Sequence, residues 1–169
     1  MVNNNINCEG KRMKGRRIWN SIFIAYACLL LYFVVLKING STERIKIIKQ
    51  SRDAGFWNYN VYPLRTITPY LEDITYTYAY MNILGNIIPF VPLGIFIPII
   101  FKRYRNLKKA LVIFIICTIS IESLQFITML GFFDVDDILL NMIGCIVGYC
   151  FYVGSSKLFM NVIYDKSWQ

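Results

Sequence analysis

Asp134, Asp136 and Asp137 crowd into the segment Asp134-Val135-Asp136-Asp137-Ile138-Leu139-Leu140-Asn141, directly against an apolar run long enough to enter a bilayer. Such carboxylates could supply oxygen ligands to Mg²⁺ beside a phosphate-bearing substrate. They could instead rim a polar pocket, with Asp134 also capping the helix that follows. Histidine is absent, which removes a histidine nucleophile, a histidine base and histidine metal ligands together. No second acidic motif and no glycine-rich phosphate loop accompany the cluster, and a lone acidic cluster is a weak motif. The pocket rim is the preferred reading, with no catalytic residue, no metal and no cofactor assigned.

The spacing of the other polar residues supports that preference. Asn82, Asn86, Pro89 and Leu93 fall at i, i+4, i+7 and i+11, on one helix face. Thr118, Glu122, Gln125 and Met129 repeat the pattern, and Asp134, Asp137, Asn141, Gly144 and Gly148 make a third stripe. Polar groups are costly in lipid and face a bundle interior. At 1.5 Å per residue, Asn86 and Asn141 lie about 6 Å below Asn82 and Asp137, while Gln125 and Glu122 lie about 9 and 13 Å below the end of their helix. The three stripes therefore meet at similar depth, and Glu122, a carboxylate inside the membrane, is the functional candidate among them. Gly144 and Gly148 read as a close-packing pair. Pro89, Pro92 and Gly94 predict a kinked or broken helix. Around the last helix Asp136 points about 100° away from Asp137, so Asp136 is expected to face water or headgroups and Asp137 the pocket mouth.

The elements that position these residues follow from composition. Of 169 residues, 56% are hydrophobic, which points to the membrane class. A span needs ~20 mostly apolar residues, and four stretches qualify: 18–36, 82–101, 110–130 and 138–160. The expected fold is all-α, a polytopic four-helix membrane bundle occupying 18–160, after a basic segment 1–17. The first span lacks a small-x-small cleavage site and reads as an uncleaved signal anchor.

Five bases precede span one, and Lys102, Arg103, Arg105, Lys108 and Lys109 fill the link between spans two and three. The positive-inside rule then puts both termini in the cytoplasm, and it accounts for these bases better than nucleic-acid binding does. The link 37–81 lies outside, despite Lys37, Arg44, Lys46, Lys49, Arg52 and Arg65. Its first half offers a helix start at Ser41 or Thr42, although Arg44 to Ile48 also alternates like a strand, and its second half is an aromatic stretch suited to the interface. Four of the five cysteines fall in spans and none forms a CxxC pair, so they read as buried small hydrophobes.

These segments resemble the VanZ-like family. The matching pieces are Asn82 to Gly94 ("NILGNIIPFVPLG"), Glu122 to Phe126 ("ESLQF") and Asp134 to Gly148 ("DVDDILLNMIGCIVG"), with Asn60 to Ile67 ("NVYPLRTI") similar to an upstream family stretch. Leu64 replaces the usual Phe, and Phe132 stands where many members carry Arg, which leaves Arg65 or a ligand to meet the acids. The resemblance implies a small multi-pass protein of the bacterial cytoplasmic membrane. The family's namesake confers low-level resistance to teicoplanin-type lipoglycopeptides.

The expected function is therefore to lower susceptibility to such drugs. The expected site is a polar pocket in the outer half of the membrane that takes the drug or a cell-wall lipid, and membrane lipids are the surrounding partners. Its expected lining is Asn82, Asn86, Glu122, Gln125, Asp134, Asp137, Asn141 and Arg65. A membrane enzyme acting on a prenyl-phosphate lipid and a non-catalytic envelope assembly partner are the alternatives.

Overall fold

The computed structural model describes residues 17–33, 41–57, 59–72 and 77–165. The chain divides into two units, Met1–Lys37 and Ile38–Gln169. The first contains α1 (Arg17–Phe33), an apolar helix shorter than the usual spanning length. Its expected extension over 34–36 lies outside the described residues.

The second unit runs α2 (Ser41–Asp53), β1 (Tyr59–Asn60), α3 (Ile67–Glu72), α4 (Thr77–Ile100), a 3₁₀ turn (Lys102–Arg105), α5 (Leu107–Ile127), β2 (Phe133–Asp134) and α6 (Val135–Asp165). Among the described residues, three stretches are long and apolar enough to cross a membrane: Tyr80–Ile100, Leu107–Ile127 and Val135–Ser155. They sit a few residues from the expected boundaries because local caps, not hydropathy, fix the ends. Asn106 accepts from the Lys108 amide at 3.0 Å and starts α5 at Leu107.

At the far end of α5, Leu130 N donates to Gln125 O (3.0 Å) and Met129 N to Phe126 O (3.3 Å), with Met129 at φ +57°. This is the Schellman arrangement that stops a helix. Met129 therefore lies beyond the helix, and the expected second stripe ends at Gln125. The end of α2 is built the same way on Gly55, at φ +85°, with Phe56 N donating to Ser51 O.

Buried apolar residues form one seam: Phe90, Leu93 and Ile97 of α4, Ala110 and Phe114 of α5, and Leu140, Cys145 and Tyr149 of α6. Phe114 and Tyr149 meet edge to face, centroids 6.5 Å apart. Only 33%, 22% and 33% of the three apolar windows are buried in the protein. Ile88, Val112, Ile116 and Ile143 point outward instead, as side chains solvated by lipid do. Cys28 and Cys150 also lie on exposed surface, whereas Cys145 is buried. Burial of the cysteines thus holds for only part of the set.

α6 packs most closely on α4, and glycines set the distance. A Cβ on Gly148 would stand 1.9 Å from Val91 O, and one on Gly144 would stand 2.2 Å from Ile87 O. Backbone meets backbone there, as small residues permit in membranes. The expected break in the proline-bearing helix is absent, because α4 is helical throughout despite Pro89, Pro92 and Pro98. Neighbouring helices commonly make such prolines tolerable.

The glycine seam yields a prediction. Gly148→Ala forces α4 and α6 apart, at a cost of about 1–3 kcal/mol for overpacking. A clear loss of thermal stability in detergent is expected, whereas Gly154→Ala, in open space, leaves the melting temperature within experimental error. Equal melting temperatures for wild type and Gly148→Ala would refute the packing.

Candidate functional site

The acids that open α6 hold a loop. Asp134 precedes the helix, and its Oδ1 accepts from Asp136 N at 2.9 Å, which is the expected cap. Its carboxylate also accepts from Asn60 Nδ2 (2.9 Å) and Thr66 Oγ1 (2.7 Å). Asp136 collects three backbone amides of the same loop. Leu64 N donates to Oδ1 at 2.6 Å, while Thr66 N (2.7 Å) and Ile67 N (3.2 Å) donate to Oδ2. Its exposure is 0%. The expectation that Asp136 faces water is thus overturned: residues 60–67 fold back over the end of α6 and cover that side. The position in the first helical turn also suits an acid, near the positive end of the helix dipole.

The loop is strained where it is held. Arg65 N reaches Tyr62 O at 3.5 Å, closing a turn with Pro63 second and Leu64 third. Leu64 has φ +67°, the region a type II turn requires of its third residue and glycine or asparagine fill best. A leucine there costs on the order of 1–3 kcal/mol and persists only where the surroundings over-determine it. The Asp136 carboxylate on Leu64 N is that constraint. A two-residue parallel ladder, Tyr59 opposite Phe133 and Asn60 opposite Asp134, ties the same loop to the start of α6.

A second tie comes from Arg52. Its Nη2 donates to Phe126 O at 2.6 Å, near the end of α5, where a cation meets exposed carbonyls and the negative dipole end. The guanidinium lies 4.4 Å from the Phe126 ring centroid and 5.5 Å from that of Trp57, in cation–π range of both.

Between these two ties a surface groove of about 360 Å³ is lined by Gly55, Phe56, Trp57, Tyr59, Val61, Tyr62 and Arg65. Phe56, Trp57, Tyr59 and Tyr62 are all well exposed. Contiguous exposed aromatics of this kind mark a binding or membrane-contact surface.

The expected lining residues are placed as follows. Asn86 Nδ2 donates to Asp137 Oδ1, joining α4 to α6. Asn141 Nδ2 donates to Glu122 Oε1 at 3.4 Å, a buried link from α6 to α5. Asn82 Nδ2 donates to Tyr70 Oη at 3.1 Å, joining α4 to α3. The stripes therefore do meet, as rungs between helices. Gln125 contributes its backbone carbonyl to the end of α5, and its side chain packs under Gly131. Arg65 is exposed and lines the groove, while the donors to Asp134 and Asp136 come from Asn60, Leu64, Thr66 and Ile67.

Asn60, Thr66 and Arg52 were not among the sequence candidates. A polar Asn ahead of a proline turn, in a stretch that resembles the family's, was the available signal for the first two. Nothing in the sequence singled out Arg52 from the other bases of its link.

These features define a helical membrane protein with one end closed by an acid-held loop. The chain belongs to the VanZ/LLP1 family, which matches it over residues 23–160. It is similar to Protein VanZ of Enterococcus faecium, at 25% identity over 143 residues, which cover 85% of this chain and 78% of that protein. No solved structure matches the chain.

The loop contacts can be tested directly. Hydrogen bonds to a charged group contribute ~1.5–3 kcal/mol each, and Asp136→Asn turns one acceptor into a donor facing amides. Amide exchange over residues 60–67 is expected to accelerate at least about tenfold, the equivalent of ~1.4 kcal/mol, and Asp137→Asn should leave that peptide unchanged. Identical exchange in wild type and Asp136→Asn would show that the carboxylate does not hold the loop.

Proposed function

We propose that this protein is a non-enzymatic module of the bacterial cytoplasmic membrane that lowers susceptibility to lipoglycopeptides such as teicoplanin. In this reading α1 is a fourth crossing, both termini are cytoplasmic, and the acid-held loop faces outward. The charge bias of the short α4–α5 link supports that orientation. The β1–β2 ladder joins the long link to the short one before α6, so the two links share whichever side the loop faces.

The observation that carries the proposal is the groove of aromatics and Arg65, set between the Arg52 tie and the Asp136 tie. A lipoglycopeptide or a cell-wall lipid presents an apolar chain beside polar and charged groups at the outer leaflet. An aromatic wall with one guanidinium complements that chemistry. The groove, rather than an open polar pocket between helices, is the surface offered to the ligand, and the Glu122 and Asn86 rungs hold the helices that carry the loop's anchors. The donors already bonded to Asp134 and Asp136 account for those acids without a metal–phosphate role, so the prenyl-phosphate enzyme gains no support.

Topology is checked by cysteine accessibility in a background cleared of native cysteines. Cysteines placed at Phe133 and Tyr62 should label from outside, and one at Lys102 from inside. Labelling of the first two only from the cytoplasmic side would invert the arrangement.

Function is checked by drug susceptibility at matched membrane abundance. Expression of the wild type should raise the inhibitory concentration of teicoplanin several-fold and leave that of a glycopeptide without a lipid tail unchanged. Trp57→Ala with Arg65→Ala should abolish the rise, and Asp136→Asn should reduce it. A wild-type protein without effect, or groove variants with full effect, would refute the proposal.

A further inference from the structure

We infer that the opposite end of the molecule carries a separate site, a cleft for the phosphodiester headgroup of an anionic phospholipid. The turn between α4 and α5 encloses about 320 Å³ lined by Arg103, Tyr104, Lys108, Lys109 and Val112. Arg103, Lys108 and Lys109 are exposed and present three cations to one small volume. The sequence holds no Asp or Glu between Asp73 and Glu122, so no local acid on this turn offsets them. The cleft also opens at the first turn of α5, where the helix dipole adds positive potential.

The turn is held in place. Tyr149 Oη donates to Arg105 O at 2.6 Å, and Arg105 Nε donates to Pro98 O at 3.4 Å. Tyr104 N donates to Phe101 O at 2.9 Å. Arg105 is thereby turned back onto α4, and Arg103, Lys108 and Lys109 are left to the cleft. A base needed only for insertion topology requires no fixed geometry, because that rule counts charge near the membrane. The fixed geometry is what goes beyond it.

The lower wall names the occupant. Val112 lines the cleft, and below it Ile115, Ile116 and Ile119 continue along α5 at i+3, i+4 and i+7, all exposed. A phosphate in the cleft would therefore sit above an apolar track leading into the bilayer. That is the layout of an anionic lipid, and basic pockets at membrane helices bind such headgroups. A free phosphate would use only the upper part.

The test uses the full chain in detergent, where insertion direction does not enter. Native mass spectrometry titrates phosphatidylglycerol, phosphatidylcholine of the same chains, and inorganic phosphate. Saturable one-to-one binding of phosphatidylglycerol is expected, at least tenfold tighter than phosphatidylcholine. The combined variant Arg103→Gln, Lys108→Gln and Lys109→Gln should lose at least tenfold of that affinity. Lys46→Gln with Lys49→Gln, which removes charge from α2, should lose none.

If the triple variant does not purify as a single species, Val112→Trp fills the apolar wall without altering charge, and it too should lose at least tenfold. Equal binding of the two lipids, equal loss in both charge variants, or unchanged binding by Val112→Trp would overturn the site. Inorganic phosphate binding as tightly as phosphatidylglycerol would overturn the lipid assignment in favour of a free anion.

Discussion

Three backbone amides converge on the buried carboxylate of Asp136, and the loop that closes this end of the molecule depends on that contact. An isolated buried charge is heavily penalised, and only hydrogen bonds or opposite charge make it tolerable. Here the donors come from the turn after β1 and from the first residue of α3, and they fall at the dipole-favoured end of α6. The exchange is mutual. The loop satisfies the acid, and the acid fixes a turn whose leucine sits at φ +67°. Without it, Leu64 would be expected to relax out of the left-handed region, and the spacing of Tyr62 from Arg65 would relax with it.

The helices below form a frame with different chemistry at each level. Near the loop, amides and carboxylates link α3, α4, α5 and α6: Asn82 to Tyr70, Asn86 to Asp137, and Asn141 to Glu122. In the middle, Gly144 and Gly148 bring α6 against the carbonyls of α4. At the far end, Tyr149 and Arg105 fasten the basic turn. The order follows from what each level can afford. Polar links fix the angular register of helices, since a misplaced amide in lipid goes unsatisfied, whereas glycine contacts fix distance and tolerate sliding. Rungs placed near the loop give rotational register where the acids of α6 must meet their amides.

Much of this was legible in the sequence, and the losses have physical causes. Helical periodicity put Asn86, Glu122, Asp137 and Asn141 on facing stripes, because polar residues in an apolar helix have few places to go, but it set Asn86 level with Asn141, whereas Asn86 meets Asp137 and Asn141 meets Glu122. The capping role of Asp134 and the packing role of the glycines were readable for the same local reasons. Asp136 was misread because helix geometry gives direction but not what covers it. A loop 70 residues earlier in the chain supplies the cover, through backbone amides that carry no sequence signature. The groove was illegible for a related reason. Its aromatics looked like an interfacial belt, and only the Asp136 and Arg52 ties, both long-range, make them one surface.

Arg52 also bears on the awkward count of bases in the long link. In the proposed orientation this link faces outward, where loops are ordinarily poor in bases, although the bias weakens as loops lengthen. Structural use gives a second reason for their presence. Arg52 is committed to the Phe126 carbonyl and two aromatic faces, in a geometry that a planar guanidinium meets and a lysine ammonium does not. Arg65 stands in the groove beside tyrosines. Arg52 belongs to the architecture of the loop, whereas the exposed Arg65 lines its groove. In the α4–α5 turn, by contrast, Arg105 is committed to Pro98 O while Arg103, Lys108 and Lys109 are presented to the cleft. Equal charges at the two ends therefore do different work, and what separates them is whether the chain around each has donors, rings and carbonyls to hold it.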